Sequence, residues 1–139
     1  MTAEELREDF AFLDDWEERF RYIVEMGREL EPMDDAAKTE EHRVLGCQSR
    51  VWITDELRPG DPPTLHFVGD SDAQLVRGLI AIVLDVYNDQ TPAFILDYDV
   101  RELFTELDLA HHLTPSRANG LNSMVEYIRT RAQEAATVP

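Results

Sequence analysis

The run from Leu75 to Val86 constrains this chain more than any other stretch. Leu75, Val76, Leu79, Ile80, Ile82, Val83 and Val86 leave a helix with almost no polar side. An amphipathic helix can lie on a surface, but one that is apolar nearly all round must be covered from several directions. The spacing therefore predicts a central helix around which the other elements are arranged. Gly78 within it offers a place where another element can approach the backbone closely. The preceding Ser71-x-x-Gln74 reads as its capping box, with Asp72 beside the positive end of the helix dipole.

The remaining elements follow from local signals. Thr2-x-x-Glu5 and Asp15-x-x-Glu18 are helix starts. Leu6, Phe10 and Leu13 share one face of the first helix; Trp16, Phe20, Ile23, Val24 and Leu30 recur at helical spacing in the second, which Pro32 stops. Met33 to Glu41 is polar and reads as an exposed connection. Ser49 to Leu57 alternates as a strand. Arg58-Pro59-Gly60-Asp61-Pro62-Pro63 is a turn, and Thr64 to Val68 returns antiparallel. Thr91-Pro92, Asp99-x-x-Glu102 and Thr114-Pro115 open three more helices, the last with Leu121, Met124, Val125 and Ile128 on its apolar face. A third strand is expected at Arg43–Leu45. The sum is α+β: a small antiparallel sheet, about three-stranded, packed against several helices. Hydrophobic content of 43% over 139 residues supports one compact domain, residues 1–139.

Charge and cysteine usage narrow the chemistry. The formal charge is −16. That field repels nucleic-acid phosphates and anionic membrane surfaces, so neither is an expected partner, and it favours a protein with a basic patch. A solubilising acidic surface explains the same charge without any partner. One cysteine cannot form an intramolecular disulfide, which fits a reducing compartment. The N-terminus Met1-Thr2-Ala3-Glu4-Glu5 lacks the basic and apolar regions of a signal peptide, and Leu79 to Leu84 is too short to cross a bilayer. The expected location is cytoplasmic.

The single cysteine lies in Gly46-Cys47-Gln48-Ser49-Arg50-Val51-Trp52. Glycine before it and small polar residues after it place it on a turn at the mouth of a strand, although an inert buried cysteine stays open on chemistry alone. A nucleophilic Cys47 must be a thiolate, and at a pKa of ~8.5 only about 3% is ionised at pH 7. The acidic field lowers that fraction, so local help is needed. Arg43, Arg50 and Arg117 are the candidates within the chain. Arg117 also sits near the start of the last helix, where a cation opposes the dipole. Pairing with a surface carboxylate would explain it equally.

Other chemistries have thinner support. His42, Cys47, His66, His111 and His112 are the possible metal ligands, but their spacing is not that of a zinc site. Asp70-Ser71-Asp72 lacks the rest of a calcium loop. No Gly-x-Ser-x-Gly elbow, dinucleotide fingerprint or phosphate loop is present, so no cofactor is expected.

The Cys47 stretch together with Gly69-Asp70-Ser71-Asp72-Ala73, Gly78-Leu79-Ile80-Ala81 and His112-Leu113-Thr114-Pro115-Ser116-Arg117-Ala118-Asn119-Gly120-Leu121 resembles the SufE family of sulfur acceptors, in the family's order and spacing. The resemblance runs from about Phe10 to the last helix. It implies a SufE/IscU-like fold with a short three-stranded sheet. It implies a persulfide carrier that is not itself an enzyme. Such a protein takes sulfur from a pyridoxal-phosphate cysteine desulfurase (SufS-like), stimulates it, and passes the sulfur to an Fe-S scaffold complex (SufBCD-like). The pyridoxal cofactor belongs to that partner. Carried over, Cys47 is the persulfide acceptor and Arg117 supports it. The rival chemistry is a single-cysteine thiol peroxidase or redox sensor. A carrier thiol is further expected to be shielded in the free protein, covered by Val44, Leu45 and Val51, and turned out on docking.

Overall fold

The computed structural model describes residues 2–137. Met1, Val138 and Pro139 lie outside the described residues, as do the extreme ends of the expected 1–139 domain. In chain order come α1 (Ala3–Ala11), α2 (Trp16–Arg28), β1 (Val51–Arg58), β2 (Thr64–Ser71), α3 (Gln74–Tyr87), α4 (Pro92–Asp97), α5 (Arg101–Glu106) and α6 (Pro115–Ala136). Short 3-10 turns at Asp35–Ala37, Glu40–His42 and Ala110–His112 bridge the longer connections.

α3 is the central helix the sequence demands. It packs against α2, β2 and α6, and Leu79, Ile80, Ile82 and Val83 are at most 1% exposed. Each such side chain contributes about 2 kcal/mol by leaving water. The α2–α3 crossing is set by glycines. A Cβ on Gly78 would lie 2.1 Å from the Ile23 carbonyl oxygen, and one on Gly27 2.7 Å from the Gly78 nitrogen. On another side, Gly69 of β2 leaves room for Ile80, whose Cγ2 would be 2.7 Å from an added Cβ.

β1 and β2 pair antiparallel from Val51↔Ser71 to Arg58↔Thr64. The period of two puts Val51 and Ile53 on the same face as Leu65, Phe67, Gly69 and Ser71, and that face is buried. Asp55 continues it beyond the core, where Arg131 of α6 grips both carboxylate oxygens at 2.9 and 3.2 Å. Tyr127 of α6 also donates to the Ile53 carbonyl oxygen. The hairpin is thus fastened to α6 as well as to α3.

Several local expectations change. The sheet has two strands: Arg43 makes only an isolated bridge to Trp52. One backbone bond there, from Val44 N to the Val51 carbonyl at 2.9 Å, is too little for a strand before the chain turns away. β2 runs three residues past Val68, because Gly69, Asp70 and Ser71 continue the pairing. Ser71 therefore does not cap α3. The N-cap is Ala73, without a side-chain bond, and Ser71 Oγ accepts from Ala73 N. Val100, not Asp99, precedes α5; the Asp99 carboxylate takes the Arg101 N–H and guanidinium instead. The caps at Thr2, Asp15, Thr91 and Thr114 form as expected. α2 ends at Arg28, before Leu30, and Met33 in the polar connection is buried.

Candidate functional site

The Cys47 loop leaves and rejoins the hairpin at fixed points. At one foot Val44 N meets the Val51 carbonyl. At the other, Arg50 N donates to Asp72 Oδ1 at 3.1 Å, and Asp72 N to the Arg50 carbonyl at 3.4 Å. Asp72 thus anchors the loop rather than serving the α3 dipole alone. Between the feet the chain reverses at Gly46, whose φ of 90° lies in the left-handed region that favours glycine. An added Cβ there would also fall 2.6 Å from Ser123 Oγ of α6.

This turn aims Cys47 at α6. Its thiol donates to the Gly120 carbonyl oxygen at 3.5 Å, and the residue is half-buried. A cavity of about 310 Å³ adjoins it. The loop side of the cavity is Cys47, Gln48 and Ser49; α3 supplies Val76 and Leu79. Ser116, Arg117, Gly120, Leu121 and Met124 form the α6 side, the spacing of a single helical face. The loop lies directly against Gly120: a Cβ on it would sit 3.5 to 3.7 Å from the sulfur, Cα and Cβ of Cys47, ordinary van der Waals contact.

Burial pushes the Cys47 thiol above its ordinary pKa, and the nearby Arg43 guanidinium pulls it partly back. The resting group is a neutral, sheltered thiol next to a pocket with space for a further sulfur atom. Of the three arginines weighed for Cys47, Arg117 lines the cavity, Arg43 acts through its charge, and Arg50 is tied by its backbone at the loop's foot. Arg117 N donates to its N-cap Thr114, which fixes the arginine in the first turn of α6.

The apolar cover differs from expectation. Val44 and Val51 are buried, but Leu45 is 79% exposed and stands in solvent beside the turn. Leu45 and Cys47 flank the left-handed Gly46, one in solvent and the other half-buried. The histidines weighed as metal ligands are distributed elsewhere. His42 contacts the Ala37 carbonyl oxygen, His66 lies between Glu31 and Asp89, and His111 and His112 cluster at Asp108. The Gly120 carbonyl and the wall residues Val76, Leu79, Ser116 and Met124 were not foreseen as site residues. Their signal is the shared helix face with Arg117, visible only once the Cys47 loop is known to lie against it.

The comparisons with known proteins bear on the family and the fold. Residues 4–132 match the SufE family model, described as an Fe-S metabolism associated domain. An uncharacterised SufE-like protein of Rhizobium meliloti is 41% identical over 133 residues, 95% of each chain. An uncharacterised SufE-like protein of Rhizobium etli is 43% identical over 137 residues, covering 97% of this chain and 92% of that one. The solution structure of a hypothetical protein from Thermus thermophilus superposes with a TM-score of 0.70 over 99% of this chain and 100% of that chain. At 18% identity it bears on the fold alone. With its α+β fold and its match over nearly all its length, the chain belongs to the SufE family.

Proposed function

We propose that this protein is a sulfur acceptor of Fe-S metabolism, working through Cys47 as one domain. A pyridoxal-phosphate cysteine desulfurase of the SufS kind presents a persulfide. The Cys47 thiolate attacks its outer sulfur, the S–S bond of the donor breaks, and the donor's cysteine leaves as a thiolate. The sulfur rests on Cys47 as a persulfide and passes on to an Fe-S scaffold complex of the SufBCD kind. The protein is a carrier and activator rather than an enzyme, and it works in the cytoplasm. Family membership in Fe-S metabolism supports this reading. Among the described residues, no helix is long and apolar enough to cross a membrane.

The observation that carries the proposal is the position of Cys47: a half-buried thiol held against Gly120 beside a cavity that Arg117 lines. A peroxidase or sensor cysteine is served by an exposed, low-pKa thiol, whereas burial pushes this one up. Arg117, which lines the cavity, would face the charge that moves between the two sulfurs. Docking must then turn the thiol outward, since a sheltered group cannot reach another protein's cysteine. Intact-mass measurement after incubation with desulfurase and free cysteine tests the proposal. One added sulfur on the wild-type chain and none on Cys47→Ser is the expected result. Full stimulation of the desulfurase by Cys47→Ser would overturn it.

A further inference from the structure

The charge around Cys47 runs against that of the whole chain. Acids outnumber bases 29 to 13, yet the cavity wall contains an arginine and no carboxylate. In such an acid-rich protein a cationic side chain readily finds a partner. Arg131 holds Asp55, Arg43 holds Glu40, Lys38 bridges Asp35 and Asp70, and Arg129 reaches the carbonyls at the end of α4. Among the described residues, Arg50 and Arg117 are the two cations whose side chains have no such partner: each is engaged through its backbone N–H only. Both are exposed. One stands three residues after the sole cysteine and the other lines its cavity. Asp72 stands at the loop foot, and its Oδ1 takes the Arg50 N–H.

We propose that Arg50 and Arg117 form an anion-receiving rim around Cys47, so that the donor protein it fits carries carboxylates immediately around its sulfur-bearing cysteine. This rests on the reading of Cys47 as the sulfur acceptor and names the kind of face it docks. The long-range acidity of the chain steers it towards a basic partner, while the rim requires an acidic centre within that basic surround. The two guanidiniums would also face the electron pair that departs with the donor's thiolate when the Cys47–sulfur bond forms and the donor S–S bond breaks. No outside oxidant or reductant enters.

The test needs only this protein and two small disulfides of opposite charge. One is 5,5′-dithiobis(2-nitrobenzoate), with two carboxylates; the other is cystamine, with two ammonium groups. In each case Cys47 thiolate forms a mixed disulfide and expels half of the probe as a thiol. Rates are divided by those of N-acetylcysteine amide, which removes intrinsic reactivity. The anionic-to-cationic ratio should exceed one and fall with salt. Arg50→Gln and Arg117→Gln should each lower it by about threefold, the size of one charge pair at ~6 Å in water. Arg21→Gln, far along α2 and paired with Glu17, should leave it unchanged. A ratio below one, or one indifferent to both arginines, overturns the rim. Persulfide loading by a desulfurase is scored separately. Loading without arginine dependence of the ratio removes the rim and keeps the acceptor. Arginine dependence without loading does the reverse.

Discussion

Two pairs of glycines mark two parts of this molecule, a tightly locked helix crossing and the seat of the Cys47 loop. Gly27 and Gly78 let α2 and α3 meet backbone to backbone, with no side chain between them. Gly46 and Gly120 seat the Cys47 loop instead, one by reversing the chain at a left-handed φ and the other by lying in ordinary contact with Cys47 beside the cavity. The first pair brings dispersion contacts and buried area into the core. The second lies beside an unfilled cavity and a neutral thiol where the core could have continued. A rigid helix beside a loosely filled pocket is what a loop needs if it is to leave its seat without disturbing the fold.

The sharpest way to break this contrast is Gly78→Ala. The new methyl would collide with the Ile23 main chain at 2.1 Å, and a main-chain atom cannot rotate aside. Overpacking typically costs about 1–3 kcal/mol, and a clash with backbone puts this change at about 3 kcal/mol or more. Denaturant melts should show a large fall in midpoint. A loss below about 1 kcal/mol would mean that the α2–α3 crossing is not locked.

Gly46→Ala comes next. It forces a side chain into a φ of 90° and towards Ser123 Oγ. The left-handed strain costs on the order of 1–2 kcal/mol, and the hydroxyl it meets is the end of a rotatable side chain. Stability should drop by about that amount while Cys47 alkylation accelerates, because the turn no longer holds the thiol against Gly120. An unchanged alkylation rate would separate the turn from the shielding of the thiol.

A smaller effect sharpens the comparison at the other end of the hairpin. Both ring nitrogens of His66 face carboxylates, Glu31 at 2.7 Å and Asp89 at 2.9 Å. A neutral imidazole has a single N–H and can serve only one of them. Burial acts to lower the His66 pKa, but the bonds to Glu31 and Asp89 outweigh it and the net shift is upward. The stability from this clamp is therefore complete below the ordinary histidine value of ~6.5 and is lost as pH rises through the folded value. Thermal midpoints followed from pH 6 upward, to about pH 8, should decline more in the wild type than in His66→Gln. Equal slopes would remove the clamp from the locked part of the molecule.

How far these two parts could be read from the sequence follows from the range of the forces that build them. Burial of α3, the helix starts at Thr2, Asp15, Thr91 and Thr114, and the β1–β2 hairpin depend on neighbours a few residues apart, and they formed as expected. Ser71 had the right spacing for a cap but was claimed by strand pairing with Val51, which spacing alone does not reveal. Leu45 reads as apolar cover by composition, yet the left-handed Gly46 beside it leaves it in solvent. Cys47 was legible as the candidate group because it is the sole cysteine and lies in a polar turn. Its Gly120 acceptor lies 73 residues away, and only the docking of the loop on α6 brings them together.

The smallest expected effect concerns the thiol itself. Burial raises its pKa and the Arg43 charge opposes that rise, so the folded protein should ionise Cys47 later than a free thiol does. Its contribution to stability is then whole below the unfolded value of ~8.5 and is lost as pH rises through the folded value. Alkylation by a neutral reagent such as iodoacetamide reports the thiolate fraction directly. The rate against pH should have its midpoint above that of a short reference peptide containing Gly-Cys-Gln. Arg43→Gln removes the opposing charge without altering a cavity-lining residue, and should move the midpoint further upward by a fraction of a pH unit. A midpoint at or below the reference value would mean that burial does not govern the thiol. A downward move in Arg43→Gln would mean that the Glu40 partner of Arg43, rather than its guanidinium, sets the local field. In the first event the pocket would be a place where sulfur is activated at rest rather than one where it is kept until docking turns it out.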